Sequence, residues 1–474
     1  MEIEVIKVSC NTIYVSECNY IMDIIFGEWL DVDFQLIIDN KISDLYRIEC
    51  SGNSIEMPNT LFRTNIDKWL HKNSLPSLPL DYLSVDTGQN FKIFSKSIPI
   101  LFGQGAGSYQ FDRKNTFFPI DLFGGIFYCI TLYEEMIPVD ADKHDRYDFH
   151  NSILYKENIH HRAIANEYLE LLKSLFKVHF NWHDNKEREY QVHVSHDVDF
   201  PLALDVALSR KLRNLAADVY IRKSLPLFFK RLIGFLTIGK NKYYFDPCNN
   251  FSYIMDCSER YKLKSEFNFI TIDGKWGIDG GYNIESPFFQ DLLLEIHERG
   301  HLIGFHPSYY TFLDFEKTKQ EFEILTNICS KLGIKQIEFG GRQHYLRWKN
   351  PDTWQIWNDV GLSRDSSVGY SGTVGFRASC CYSYSAFNLR TRKHLELIEQ
   401  PLILMDGSLF NVVERSKVIE LTQKISDVTK YFKGDFTFLF HNNYAISTFE
   451  KKQYEEILSI LTIQDNDLSR NNDN

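Results

Sequence analysis

Two aspartates separated by one residue close an apolar run in His193-Val-Ser-His196-Asp197-Val-Asp199-Phe-Pro201. In an extended chain successive side chains alternate, so Asp197 and Asp199 project to one side, near-adjacent. Carboxylates that close resist joint ionisation unless a cation or a proton-transfer role accounts for them. The chemistry such a pair offers is metal-assisted, with one carboxylate ligating a hard divalent ion while the other takes a proton from water. Taken alone, a solvated Asp-rich turn is the alternative. Four further segments place Asp, His or Arg just beyond an apolar stretch. Gly304-Phe-His306-Pro-Ser308-Tyr-Tyr310 offers His306 as a metal ligand, and Gly340-Gly341-Arg342-Gln-His344 offers Arg342 and His344. Ser363-Arg364-Asp365-Ser366 offers Asp365, and Phe438-Leu439-Phe440-His441 offers His441. One such histidine is more often structural. Five such segments in succession read better as an active site.

The elements that must position these groups follow a regular order after Tyr190. Strands are expected at 191–195, 266–272, 301–305, 337–340 and 436–440, and helices at 251–261, 287–299, 315–332, 351–360, 412–432 and 450–461. This alternation predicts an α/β protein with a parallel sheet, open or closed into a barrel, whose functional groups gather at the C-terminal strand ends. The front of the chain reads differently. It has short strands such as 34–39 and 91–94, a buried helix over 120–136, and a second helix with Ile164, Tyr168, Leu171, Leu172 and Leu175 on one face. Gly103-Gln-Gly105-Ala-Gly107 reads as a plain loop, because no helix start follows it to make a phosphate cradle. The polar stretch 182–189 suits a hinge, and 464–474 a disordered tail.

A chain of 474 residues is long for one ordinary core, and 44% hydrophobic with 24% charged residues excludes wholesale disorder. The net charge of −11 argues against a nucleic-acid partner. No secretory signal follows Met1, no run of 18 apolar residues occurs, and the nine cysteines form no CxxC. Together these lead us to expect a cytoplasmic protein with reduced thiols.

In order and spacing the five segments resemble the motifs of polysaccharide deacetylases, the NodB-homology domain of carbohydrate esterase family 4, over residues 188–463. The front part, 1–182, is similar to an uncharacterised N-terminal domain found fused to such deacetylases, through Phe127-Tyr-Cys-Ile-Thr-Leu-Tyr-Glu134-Glu135 and Asp142-Lys-His144-Asp145-Arg146-Tyr147. The resemblance implies a distorted (β/α) barrel with a separate α+β N-terminal domain. It also implies a hydrolase of carbon–nitrogen (non-peptide) bonds that removes an N-acetyl or O-acetyl group from a sugar of a cell-surface polysaccharide or its precursor. Asp197 then resembles the general base that activates water, and Arg342 the arginine that orients it. Asp199 and His306 resemble metal ligands, and His441 the general acid that protonates the leaving amine. Asp365 falls in the motif that supports this network. The implied cofactor is a divalent metal, zinc or a similar first-row ion.

The pattern departs at Tyr310, which stands where the family has its second metal histidine, and at Leu302, which replaces an acidic residue. Either His344 or His196 completes the site, with His344 preferred because it follows a neighbouring strand, or the metal binds weakly or not at all. Two alternatives stay open: a glycan-binding or scaffolding relative that has lost catalysis, and a hydrolase of another C–N bond. A bare binding groove has no need of both the base Asp197 and the acid His441. Between 208 and 242 lie Arg210, Lys211, Arg213, Arg222, Lys223, Lys230, Arg231, Lys240 and Lys242 against one acid, Asp218. Interleaved with large apolar residues over 225–236, they predict an interfacial helix on anionic lipid at the inner membrane face. The alternative is a helical excursion packed on the protein with its charges in water. The glycan substrate would then be met on a nucleotide or lipid carrier.

Overall fold

Runs with every second residue apolar build two small sheets at the front of the chain. β1 (Ile6–Cys10), β2 (Phe34–Ile38), β3 (Leu45–Cys50) and β4 (Asn53–Pro58) pair in the order β2-β1-β3-β4, while β5 (Asp81–Asp86), β6 (Ser97–Ile100) and β7 (Gly107–Gln110) pair as β6-β5-β7. In β5, Leu83 and Val85 are buried while Ser84 and Asp86 face out, the period of two that a half-buried strand requires. The computed structural model describes residues 5–88, 91–184, 186–204, 208–237, 243–272 and 278–463. The 464–474 tail, Lys240 and Lys242 lie outside them.

Two expectations at the front fail for local reasons. Residues 91–94 form no strand. The Phe94 N–H donates instead to the Glu170 carboxylate at 2.9 Å, so a side chain replaces the neighbouring strand. The helix expected over 120–136 stops after Leu122–Ile130, where Leu132 turns left-handed (φ 51°) and a 3-10 turn follows over Tyr133–Met136. The Thr131 hydroxyl donates to the Phe127 carbonyl at 2.7 Å at that break.

The rest of the chain forms one large sheet. β8 (Gln191–Val198), β9 (Ser265–Phe269), β10 (Leu302–Phe305), β11 (Gly340–Gly341), β12 (Arg364–Asp365), β13 (Tyr384–Asn388), β14 (Lys393–Glu399), β15 (Leu402–Met405) and β16 (Asp435–Leu439) are arranged β13-β14-β12-β11-β10-β9-β8-β16-β15. Only the β13–β14 pair is antiparallel. β9 is buried at every residue, as expected of a strand covered on both faces. The α/β class therefore stands. The strand ladder does not close: β13 and β15 are its two edges among the described residues, making a curled half-barrel rather than a full one. The strand expected at 337–340 shrinks to two glycines, and a Cβ on Gly341 would meet the Phe305 carbonyl oxygen, so the chain passes too close there for a side chain.

The expected separate N-terminal unit is packed into this sheet through a common core. One apolar cluster runs from Ile6 through Trp182 to Leu461. Arg377 and Glu135 form a buried ion pair at 2.7 Å across the two parts. The N–H of Ala165, in the helix Ile164–Phe180, donates to the Ser379 carbonyl at 3.0 Å. None of the nine cysteines is in a disulfide, and all but Cys50 are buried. Among the described residues no helix is long and apolar enough to cross a membrane.

Candidate metal centre and catalytic groups

Site residues collect where the parallel strands end. β8 delivers Asp197 and, one step beyond its last residue, Asp199; the turns after β10, β11 and β16 deliver His306, His344 and His441. Asp199 Oδ1 lies 3.1 Å from His306 Nε2 and 3.4 Å from His344 Nε2. Asp199, His306 and His344 offer ligand atoms all within 4.8 Å of one another, so they can hold one metal ion. Each histidine is fixed through its other nitrogen. His306 Nδ1 is 2.6 Å from the Arg342 carbonyl, and His344 Nδ1 is 2.9 Å from Asp279 Oδ1. A carbonyl or carboxylate behind the ring sets the tautomer and orientation, the support that metal-binding histidines normally have.

The donor set fits a cation. His344 Nε2 is buried with no well-aligned hydrogen bond, its nearest carboxylate oxygen, Asp199 Oδ1, standing 3.4 Å away, and an ion between them would satisfy it. Burial works against a charged His344, yet Asp199 and Asp279 outweigh it and push the ring up to about 9. Burial likewise opposes the Asp199 carboxylate, but His344, His306 and His441 hold it well below its ordinary value. Positive charge between these groups is thus strongly stabilised. Two nitrogens and one carboxylate oxygen suit zinc-like ions better than calcium or magnesium.

Two further groups flank the trio. Asp197 Oδ1 accepts from Arg342 Nη1 at 2.9 Å and Asn268 Nδ2 at 2.7 Å, while Oδ2 lies 3.9 Å from His306 Nε2. Burial raises its pKa, but Arg342 and then His306 overcome this and keep Asp197 ionised below the usual carboxylate range. Arg342 is itself clamped, by the Ser366 carbonyl at 2.9 Å and the Ser366 hydroxyl at 2.8 Å. On the other side, His441 Nδ1 is 2.8 Å from Asp406 Oδ1 and its Nε2 is 3.7 Å from Asp199 Oδ2. Burial disfavours the charged ring, yet Asp406, Asp199 and Asp197 raise it to about 10, so His441 carries a proton at neutral pH. Asp199 and His441 keep 15% and 16% side-chain exposure, which leaves the centre open to solvent.

Six of the seven residues singled out from sequence thus meet at one place: Asp197, Asp199, His306, Arg342, His344 and His441. Asp365 does not. Its Oδ1 is taken by the N–H and hydroxyl of Ser367, and it is fully buried beneath the arginine, where desolvation pushes it up to about 6. It acts at one remove: the Ser367 hydroxyl accepts from the Gln343 N–H at 2.8 Å, between Arg342 and His344. His196 is excluded as a ligand, because it sits among the Phe440 carbonyl (2.6 Å) and the Ser265 hydroxyl (3.0 Å) away from the trio. Tyr310 is 53% exposed and takes no part.

Sequence reasoning missed Asp279 and Asp406, the two carboxylates behind the histidines. Asp406 directly follows the apolar strand β15, so the strand-end rule would have found it had Leu402–Met405 been read as a strand. Asp279 lies in a Gly-rich turn with no periodic signal around it.

Residues 6–181 match the model of a family of unknown function, DUF7033. No curated protein matches the chain. Among solved structures, the chain is similar to a protein assigned as a polysaccharide deacetylase from Mycobacterium smegmatis, with 13% identity over 60% of this chain and 87% of that one and a TM-score of 0.38. It is also similar to Puue allantoinase (11% identity, 59% and 89% covered, TM-score 0.36) and to a protein assigned as a polysaccharide deacetylase from Pseudomonas aeruginosa PAO1 (11%, 60% and 90%, 0.35).

Proposed function

We propose that this protein is a metal-dependent hydrolase that removes an acetyl group from an amino sugar of a surface polysaccharide or of its carrier-linked precursor. The observation that carries the reading is a ligand trio flanked on one side by a carboxylate held by an arginine and on the other by an imidazole held by a carboxylate. When bound, a divalent ion of the zinc type polarises an acyl carbonyl and lowers the pKa of water toward neutral. Asp197 is held by Arg342 and Asn268 through one oxygen, which leaves the other free to take a proton from the attacking water. Its ionised state suits a base. His441, charged and anchored by Asp406, is suited to protonate the departing amine nitrogen. A base and an acid of fixed, opposite protonation state at neutral pH are what amide hydrolysis needs and what a binding groove does not.

The test is acetate release from chitooligosaccharides and from nucleotide-linked N-acetyl sugars, with zinc supplied. Asp197→Asn should lower kcat by about 10²–10⁴-fold while metal content stays near one per chain, because the base is not among the ligands. Full activity in Asp197→Asn would remove Asp197 as the base, and no acetate release from any substrate would remove the deacetylase reading.

A further inference from the structure

The excursion between β8 and the next sheet helix, Phe251–Arg260, holds two helices, Leu208–Tyr220 and Leu225–Thr237. The second is turned inside out. Its buried residues are Leu227, Arg231 and Gly234, while Leu225, Phe229, Ile233 and Leu236 are exposed at 60%, 55%, 41% and 78%. These four lie at spacings of four, four and three, one continuous stripe along the helix. A surface helix normally turns that stripe to the core. Tyr220 and Ile221, at 80% and 78%, extend the apolar surface at the end of the first helix, and Leu212 adds to it at 61%.

The charges are sorted just as unusually. Asp218, the single acid between 208 and 237, is fully buried and bonded to Arg231 at 2.7 Å and Arg222 at 2.8 Å. Arg231 is therefore an internal strut and not part of a free basic face, which corrects the reading of all the cations here as surface charges. With the acid hidden, Arg213 and Lys223 stand exposed on the helical pair, and Lys211 and Lys230 partly exposed. Exposed leucine and phenylalanine flanked by uncompensated cations match a bilayer surface of negative charge, where rings and aliphatic chains enter the acyl boundary and cations meet headgroups. An acidic protein groove would complement the cations, but it would not require so long an apolar stripe to face water beforehand.

We infer that this helical pair seats the protein on an anionic membrane surface. The stems of the excursion are tied beside His441. Asn442, the neighbour of His441, donates to the Phe200 carbonyl at 3.3 Å and to the Cys248 carbonyl at 3.2 Å, tying down both stems of the excursion. The inference stands on the helices alone and does not rest on the hydrolase reading.

Flotation of the full chain with phosphatidylcholine vesicles, with and without phosphatidylglycerol, tests it. Binding should appear with the anionic vesicles and fall as salt is raised. The double variant Arg213→Glu with Lys223→Glu should cut the partition at least about 20-fold, since each cation near the surface is worth roughly fivefold. Phe229→Ser with Leu236→Ser should cut it by at least about tenfold. All four side chains are exposed, so matching thermal melts check that the fold is kept. Absence of salt-sensitive binding overturns the proposal, as does flotation unchanged in both variants. A concentration-dependent dimer that Phe229→Ser with Leu236→Ser dissolves, without flotation, also overturns it and gives the face to a second copy of the chain.

Discussion

The turns after β10 and β11 each carry one histidine of the metal centre, but they are held by different parts of the molecule. The first is anchored mainly by the helix that follows it, with one contact to the front of the chain, Tyr309 hydroxyl to His144 Nδ1 at 2.9 Å. Ser308 N–H and hydroxyl bind the Glu321 carboxylate at 2.8 and 2.6 Å, and Glu321 belongs to the helix Phe315–Lys331 that directly follows. The second turn is strained, with Tyr345 and Leu346 both left-handed at φ 62° and 51°. Each such non-glycine residue costs of order 1–3 kcal/mol and persists only where its surroundings impose it. Part of those surroundings comes from the front of the chain. Arg146 Nη1 donates to the Tyr345 carbonyl at 2.7 Å, and Arg347 donates to the His144 carbonyl at 3.0 Å and pairs with Asp145. The first arm thus leans mostly on the βα array, while the backbone of the second also depends on residues of the N-terminal region. The segment 141–147 is then part of the active-site scaffold.

The sharpest break would come from the ligands. His306→Ala and His344→Ala should each abolish measurable zinc binding by titration calorimetry on the metal-stripped protein. Wild-type affinity in His344→Ala would leave the second turn without a role at the centre. Next in size, Arg146→Ala should weaken zinc binding by about 10–100-fold, the usual range for support behind a ligand, with the fold kept. Glu321→Gln, on the helix that anchors the first turn, should do the reverse, costing about 1–3 kcal/mol of stability with metal affinity almost unchanged. If both variants changed only stability, the two turns would be equivalent and the contrast would vanish. Tyr310→Phe should be the smallest, within about 0.5 kcal/mol in stability and without effect on zinc, because the ring faces solvent. A large loss of zinc there would return Tyr310 to the site.

Much of the centre was legible because strand-end chemistry is local. Asp197, Asp199, His306, Arg342 and His441 each follow an apolar run within a residue or two, and the order of motifs added their roles. His344 was legible only as a preference over His196. Choosing between them needs the direction of a side chain at a strand end, which alternation alone does not settle once the chain leaves the strand. The supports were less visible. Asp279 and Arg146 act through contacts with residues distant in sequence, 65 positions away for the His344–Asp279 pair. The strands β13 and β15 were missed because Tyr384–Asn388 and Leu402–Met405 are buried throughout or nearly so, which erases the alternation that marks a half-exposed strand, whereas β14 keeps it, with Leu395 and Leu397 buried and Glu396 exposed, and was simply not read. The helix Leu225–Thr237 was visible as interleaved charge and apolar surface, but Arg231 was assigned to the wrong face. Its partner Asp218, 13 residues earlier, decides that.

The edge strand β13 has a further consequence, for the order of assembly. An unpaired sheet edge is a template for joining other chains. Here it is sealed by the first helices of the protein: Tyr20 hydroxyl donates to the Ser385 carbonyl at 2.8 Å, and Trp29 Nε1 to the Ser383 carbonyl at 3.3 Å. Tyr20 and Ser385 are 365 residues apart. At a synthesis rate of ~5–20 residues per second, the cover waits roughly 20–70 s on the ribosome before the edge it protects is made. When β13 emerges, the residues that seal it have already been made, so covering the edge waits on docking and not on further synthesis.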